Sequence, residues 1–233
     1  MAFEIRNPEW GALRPIRGVL FDMDGLVLDS ERLYTRFWME AAQTLGYPMT
    51  KEQALGLRSL GKIPAQAHLT ACFGPGIDYT EVRAKRIELM DAFVAERGIA
   101  PKPGIGDLLD YLQEQNIPTA ITSSSPMEYI LRHLTAQNLA HRFRKLCSGH
   151  EVPHGKPAPD IYLYGAEVLG RDPRECLALE DSPAGIEAAY RAGCLPVMIP
   201  DQDAPDEKTL SMLYAKADTL TDVISIIQLH CAQ

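Results

Sequence analysis

Two aspartates stand two positions apart in the segment Phe21-Asp22-Met23-Asp24-Gly25. At that spacing both carboxylates can point into one crevice. One can attack phosphorus and carry it as an aspartyl-phosphate, while the other protonates the leaving oxygen and then activates a water. Gly25 permits the tight turn that re-aims the chain after the pair. A second acidic pair, Glu180-Asp181, follows a short apolar run much later in the chain. Brought together, Asp22, Asp24, Glu180 and Asp181 hold more negative charge than one site tolerates without compensation. A hard divalent cation resolves the conflict, and oxygen ligands beside a phosphate favour Mg²⁺. Lys156 supplies a further positive charge, suited to a phosphate oxygen or to keeping a carboxylate ionised. Ser123, with the neighbouring hydroxyl of Ser124 and the N–H groups of the helix that follows, offers an anion-binding corner. A cation, a lysine and a helix N-terminus together describe a phosphoryl site.

These residues are far apart in sequence, so the fold has to gather them. Residues 16–21 (IRGVLF) are apolar and β-branched and run straight into DMDG, which predicts a buried strand ending in a turn. Asp29-Ser30 offers capping side chains to a helix in which Leu33, Phe37, Ala41 and Leu45 recur at helical spacing, with Gly46 as its stop. Further helices are expected over 51–57, 63–73 and 79–97, and no strand between 31 and 99. After PKPG at 101–104, helices over 105–116, 126–137, 157–169, 183–192 and 222–229 alternate with strands over 117–121, 145–148, 176–179 and 197–199. Such alternation implies an α/β fold, a Rossmann-like doubly wound parallel sheet with helices on both faces. The chain is therefore expected to divide into a catalytic core (1–30 and 100–233) and an inserted all-helical cap domain (31–99), with a hinge at the two crossings. In open parallel sheets ligands bind beyond the carboxyl ends of the strands. That is where Asp22, Asp24, Ser123, Lys156, Glu180 and Asp181 fall.

Composition narrows the partners. The chain has 233 residues, 46% hydrophobic and 23% charged, with a net charge of −8, the profile of an ordinary globular protein. A nucleic-acid binder usually carries a basic surplus, so no nucleic-acid partner is expected. No stretch approaches the roughly 20 apolar residues of a membrane span, and the N-terminus lacks a signal-peptide pattern. The five cysteines (Cys72, Cys147, Cys176, Cys194, Cys231) are scattered and odd in number. They read as reduced thiols, mostly small core residues, in a cytoplasmic protein.

Four motifs carry a family resemblance: FDMDGLVLDSE at 21–31, AITSSSP at 120–126, HGKPAPDIY at 154–162 and LALEDSPAGIEAA at 177–189. In this order they resemble the haloacid dehalogenase-like phosphatase superfamily, in the branch that resembles β-phosphoglucomutase, and they span the whole core. The resemblance implies a phosphatase acting on a small phosphorylated metabolite. Asp22 would be nucleophile and metal ligand, and Asp24 the general acid/base with its backbone carbonyl on the metal. Ser123 and Lys156 would bind phosphate, and Asp181, with Glu180 beside it, would complete the Mg²⁺ site. The helical insertion resembles the family's cap, which closes over the site, excludes water and selects the substrate. A monomer is the family expectation.

A related mutase carries a histidine five residues after the Asp of the DS or DT pair. Counting from Asp29, that place is Tyr34 here, which favours hydrolysis over sugar-phosphate mutase chemistry. A haloacid dehalogenase proper lacks the second aspartate that Asp24 provides. A non-catalytic binding protein on the same fold would show erosion of a motif, and none is eroded. Arg58 and Lys62, in the cap segment GLRSLGK at 56–62, are candidate substrate-reading residues, with a solvated interhelical loop as the competing reading. Asp29 and Ser30 read as a helix cap, His150 and His154 as loop residues, and GPG at 74–76 as a turn. The phosphorylated substrate resembles those of hexose and pseudouridine phosphatases only by analogy.

Overall fold

A computed structural model gives the structure, which describes residues 3–11, 15–58, 60–201 and 204–231, the last two as backbone only beyond 229. The chain separates into two compact units, Met1–Asp29 with Ala100–Gln233, and Ser30–Ile99.

The larger unit is built on a seven-stranded sheet. In chain order its elements are β1 (Phe3–Ile5), α1 (Pro8–Gly11) and β2 (Gly18–Phe21), after which the chain leaves through the helices α2 (Ser30–Thr44), α3 (Lys51–Leu55), α4 (Lys62–Phe73) and α5 (Tyr79–Arg97) of the smaller unit. It resumes with α6 (Ile105–Glu114), β3 (Thr119–Ser123), α7 (Met127–Ala136), β4 (Lys145–Ser148), α8 (Asp160–Leu169), β5 (Cys176–Glu180) and α9 (Pro183–Arg191). The chain then ends with β6 (Leu195–Met198), α10 (Glu207–Ser211), β7 (Ala215–Ala217) and α11 (Asp222–Cys231).

The strands lie in the order β1-β7-β6-β5-β2-β3-β4, all parallel except β1, which runs antiparallel to β7. Strands β2, β3, β5 and β6 are buried on both faces. This explains why their sequences read as continuous apolar runs rather than as alternation. Helix α8 packs over β2, β3 and β4 and against α9, which lies over β5 and β6, while α6 and α11 pack together. Leu20, Ala120, Ala178, Ile161 and Tyr162 form the middle of one side's core. Central β2 has β3 on one side and β5 on the other. The chain runs outward from β2 in one direction through β3 and β4, and in the other through β5 and β6. That reversal is the switch point where such sheets place their ligands.

The smaller unit is all helical. Trp38, Ala41 and Ala42 of α2 pack with Ala54, Ala65, Leu69 and Val82 from the other three helices. Thr50 and Gln53 cap α3 reciprocally, and Asp78 caps α5 by accepting the N–H groups of Thr80 and Glu81. Tyr34 packs its ring against the guanidinium of Arg86, 5.0 Å away, and Arg86 also lies over Trp38. The two segments bounding this insertion are paired within the larger unit. Leu28 bridges Pro101, the Asp29 N–H donates to the Ala100 carbonyl, and Lys102 donates to Asp201 at 2.6 Å.

The parallel sheet with its helical insertion is the architecture expected from the sequence. The differences are local. The strand expected over 117–121 is displaced to Thr119–Ser123, because the Ile117 N–H turns back to close α6 on the Leu112 carbonyl. The helix expected from 157 starts at Asp160, after a turn in which Ala158 donates to Gly155. Strands β1 and β7 and helix α10 lie where neither strand nor helix was expected. Each is five residues or fewer, too short to show a period. Among the described residues, no helix is long and apolar enough to cross a membrane. Cys147, Cys176 and Cys194 are buried free thiols and Cys72 is a partly buried one, while the Cys231 side chain lies outside the described residues.

Candidate active site

Four strand ends supply the site. Asp22 follows the last residue of β2, Ser123 ends β3, Glu180 ends β5 with Asp181 next, and Lys156 comes from the loop between β4 and α8. The Asp22 N–H continues the ladder by donating to the Leu179 carbonyl at 3.0 Å. Asp22 is thereby held beside Glu180. Met23, Leu26, Val27 and Leu28 are buried, and the N–H groups of Val27 and Leu28 both donate to the Met23 carbonyl. This apolar plug fixes the turn, and Gly25 takes φ +86° within it. Asp22 and Asp24 flank buried Met23, and Asp24 is left partly exposed.

Carboxylate oxygens of Asp22, Glu180 and Asp181 lie within 4.8 Å of one another, all three residues buried. The Lys156 ammonium bridges two of them, donating to Asp22 Oδ1 at 2.5 Å and to Glu180 Oε1 at 2.6 Å. Glu180 is held from every side. Tyr162 donates its hydroxyl to Oε1 at 2.5 Å, and Ser182 donates its hydroxyl to Oε2 at 3.1 Å. Ser182 in turn caps α9 by accepting the Gly185 N–H.

Asp24 and the β3 loop are also tied together. Ser125 donates its hydroxyl to Asp24 Oδ2 at 3.1 Å, and Tyr129 reaches Oδ1 at 3.5 Å. The Ser125 N–H donates to Ser123 Oγ, and Ser148 donates its hydroxyl to the Ser125 carbonyl. Ser123 is buried and Ser124 exposed.

The electrostatics follow from one ammonium among three close carboxylates. Burial raises Asp22 to about 8, the negative charges of Glu180 and Asp24 add to the rise, and Lys156 works against it. Burial opposes the Lys156 ammonium, but Asp22 and Glu180 outweigh it and lift the group above its ordinary value. Burial and the same two carboxylates push Tyr162 well up, so its hydroxyl stays a donor. The cluster thus remains short of positive charge even with Lys156 in place. Its donor set is oxygen only, which fits a hard divalent cation and not a soft one. Asp22, Glu180 and Asp181 are the carboxylates that could hold such an ion between them.

Asp22, Asp181, Glu180 and Lys156 thus share one cluster, with Asp24, Ser123 and Ser125 joined to each other beside it. Arg58 and Lys62 belong to the helical unit instead. Arg58 pairs there with Glu31 at 2.9 Å, and Lys62 is exposed at the start of α4; Ser59 of the same segment lies outside the described residues. His154 pairs with Asp160 on the surface, and neither it nor His150 enters the acidic cluster. Sequence reasoning did not single out Tyr162, Tyr129 or Ser182, and gave Ser125, in the AITSSSP motif, no role beyond satisfying turn backbone groups. Tyr162 and Ser182 stand inside the HGKPAPDIY and LALEDSPAGIEAA motifs, so their places were visible though their partners were not.

The profile of haloacid dehalogenase-like hydrolases matches residues 16–193, well over half of the chain. This chain belongs to that family. It is 35% identical over 206 residues to a probable pseudouridine-5'-phosphatase of Drosophila melanogaster, covering 84% of this chain and 87% of that one. It is 30% identical over 216 residues to hexitol phosphatase B of Escherichia coli K12, covering 90% and 95%. It is likewise 30% identical to the β-phosphoglucomutase of Bacillus subtilis, over 78% of this chain and 82% of that one. The fold matches the crystal structure of a HAD family hydrolase from Deinococcus radiodurans with a TM-score of 0.81, covering 93% of this chain and 97% of that chain at 24% identity. The protein is therefore a haloacid dehalogenase-like phosphatase on the β-phosphoglucomutase-like branch of the family.

Proposed function

We propose that this enzyme hydrolyses a small phosphorylated metabolite, a sugar phosphate or a nucleoside monophosphate, through an aspartyl-phosphate on Asp22. The observation that carries the reading is the Lys156 ammonium held between Asp22 and Glu180, with Asp181 completing an oxygen-only cluster. The bound cation would be Mg²⁺, held by Asp22, Asp181 and the Asp24 carbonyl with Glu180 beside them, and it would neutralise charge on the transferring phosphoryl group. In the first step an Asp22 oxygen attacks phosphorus, the ester P–O bond breaks, and Asp24 delivers a proton to the departing alcohol. In the second, Asp24 takes a proton from water, the water oxygen attacks phosphorus, and inorganic phosphate leaves with Asp22 regenerated. Lys156 steadies Asp22 and one phosphoryl oxygen, and Ser123, with Ser124 at the surface, receives the others. The helical cap would read the rest of the substrate, with Arg58 and Lys62 as its candidate contacts.

The sugar-phosphate and nucleotide classes follow from the relatives named for hexitol and pseudouridine phosphates. The test is a panel of phosphorylated metabolites with Mg²⁺, followed by phosphate release. Release from a sugar phosphate or nucleoside monophosphate supports the reading. Rapid conversion of β-glucose 1-phosphate to glucose 6-phosphate, without phosphate release, would replace hydrolysis by mutase chemistry.

A further inference from the structure

The mechanism above needs the Lys156 ammonium in one place, yet a lysine has a flexible stem and three rotatable donors. Its position has to come from fixed acceptors. Asp22 cannot be the sole anchor, because it is the group that changes charge and bonding during the reaction. Glu180 takes no covalent part in it, and it is the acceptor whose own place is most fully determined.

Ser182 holds Glu180 Oε2, and the oxygen that faces Lys156, Oε1, is held by Tyr162, on the first turn of α8. The side chain is fully buried among Leu20, Ala120, Ile161 and Ala178. A phenylalanine would fill that space equally well. A phenol buried in such surroundings is costly unless its hydroxyl is bonded. Here the bond goes to Glu180 Oε1, the same oxygen that receives Lys156. The tyrosine ring also lies under the ammonium, 5.2 Å from Nζ to the ring centroid. The helix reaches this depth because Gly165, one turn on, presses against the sheet. A Cβ there would come within 2.6 Å of Thr122 Cγ2 and 3.2 Å of Leu20 Cδ2.

We propose that Tyr162 is a positioning residue, holding Glu180 through its hydroxyl so that Lys156 stays fixed against Asp22. The proposal rests on Asp22 being the phosphate acceptor. An ammonium so fixed also touches a phosphoryl oxygen before reaction, but its hold on Asp22 matters most as charge moves in the transition state, so losing that hold lowers kcat by more than it raises KM.

The experiment compares wild type, Tyr162→Phe and Tyr162→Leu on p-nitrophenyl phosphate with Mg²⁺, well below the melting midpoint of each protein. Tyr162→Phe keeps the ring and deletes the hydroxyl. It is expected to lower kcat about tenfold, equivalent to about 1.4 kcal/mol of barrier, with KM within about twofold of wild type. Tyr162→Leu, which also removes the ring beneath the ammonium, is expected to lose more. A folded variant whose kcat stays within about twofold of wild type overturns the role, whatever its melting temperature. A rise in KM that matches the fall in kcat overturns it equally, since that is general damage to the site. A wild-type protein that releases no phosphate from any monoester refutes the phosphatase reading, and the role of Tyr162 falls with it. Active wild type with unaffected variants refutes Tyr162 alone.

Discussion

Replacing Lys156 by methionine keeps the length of the side chain and deletes its charge. The Lys156 side chain is 8% exposed, and its partners Asp22 and Glu180 are 11% and 0% exposed. The substitution therefore strands two buried carboxylates beside a third, Asp181. Breaking a buried ion pair from one side costs about 3–5 kcal/mol. For a chain of this size each kcal/mol moves the melting temperature by about 2–4 °C, so Lys156→Met is expected to melt about 6–20 °C below wild type in chelator. The loss depends on pH in a definite direction. Asp22 already has its value raised to about 8 with Lys156 present, and without the ammonium it rises further. Near pH 6 it escapes the penalty by keeping its proton, whereas near pH 9 keeping that proton, which the unfolded chain has long released, costs more with every further rise in pH. Thermal melting of both proteins at about pH 6 and about pH 9, in chelator and with Mg²⁺, reads the effect. Mg²⁺ should recover part of the loss, because it returns positive charge to the same oxygens. Equal melting temperatures at high pH in chelator, or a deficit that shrinks as pH rises, would show that the cluster does not carry the charge assigned to it.

Three further outcomes follow from the structure. In wild type without divalent ions, the raised Asp22 contributes stability that is full below about pH 4 and is lost as pH rises through about 8. Melting in chelator should fall across that window and Mg²⁺ should stabilise most at its upper end; a melting temperature that climbs there contradicts the assignment. Gly185→Ala puts a methyl where the Glu180 carboxylate lies, so it should cost about 1–3 kcal/mol and reduce kcat; unchanged melting and turnover would mean Glu180 has room to move. Thr50→Ala removes the reciprocal cap of α3 and should destabilise the helical unit by about 1 kcal/mol while leaving the core intact, with hydrogen exchange in α6 or α9 as the check.

Much of the core was legible because parallel strands buried on both faces write themselves as unbroken apolar runs. IRGVLF and CLAL each end in the acidic residues that matter, and strand pairing then brings Asp22 beside Glu180. Lys156 was legible as a charge in a loop, but its bridge to both carboxylates was not, since loop geometry has no period to read. Tyr162 and Ser182 were hidden for a different reason. Tyr162 is an ordinary buried core side chain and Ser182 an ordinary helix cap in structure, roles that carry no mark of chemistry in the sequence. Their second role, donating to Glu180, depends on how closely α8 and α9 approach the sheet. Strand β7 and its antiparallel partner β1 were missed because three residues paired at a sheet edge carry too little pattern. Arg58 was legible as a cap cation, while its pairing with Glu31, twenty-seven positions earlier, was not.

Everything in this mechanism turns on Asp22 taking the phosphoryl group. The direct measurement is to quench the enzyme during turnover of its substrate, reduce the acyl phosphate with borohydride, and map the altered residue by mass spectrometry, alongside the turnover of Asp22→Asn. Conversion at Asp22 alone is expected, with Asp22→Asn folded and slower by about a thousandfold or more. Modification at another residue, or an Asn variant that turns over at the wild-type rate, would contradict it.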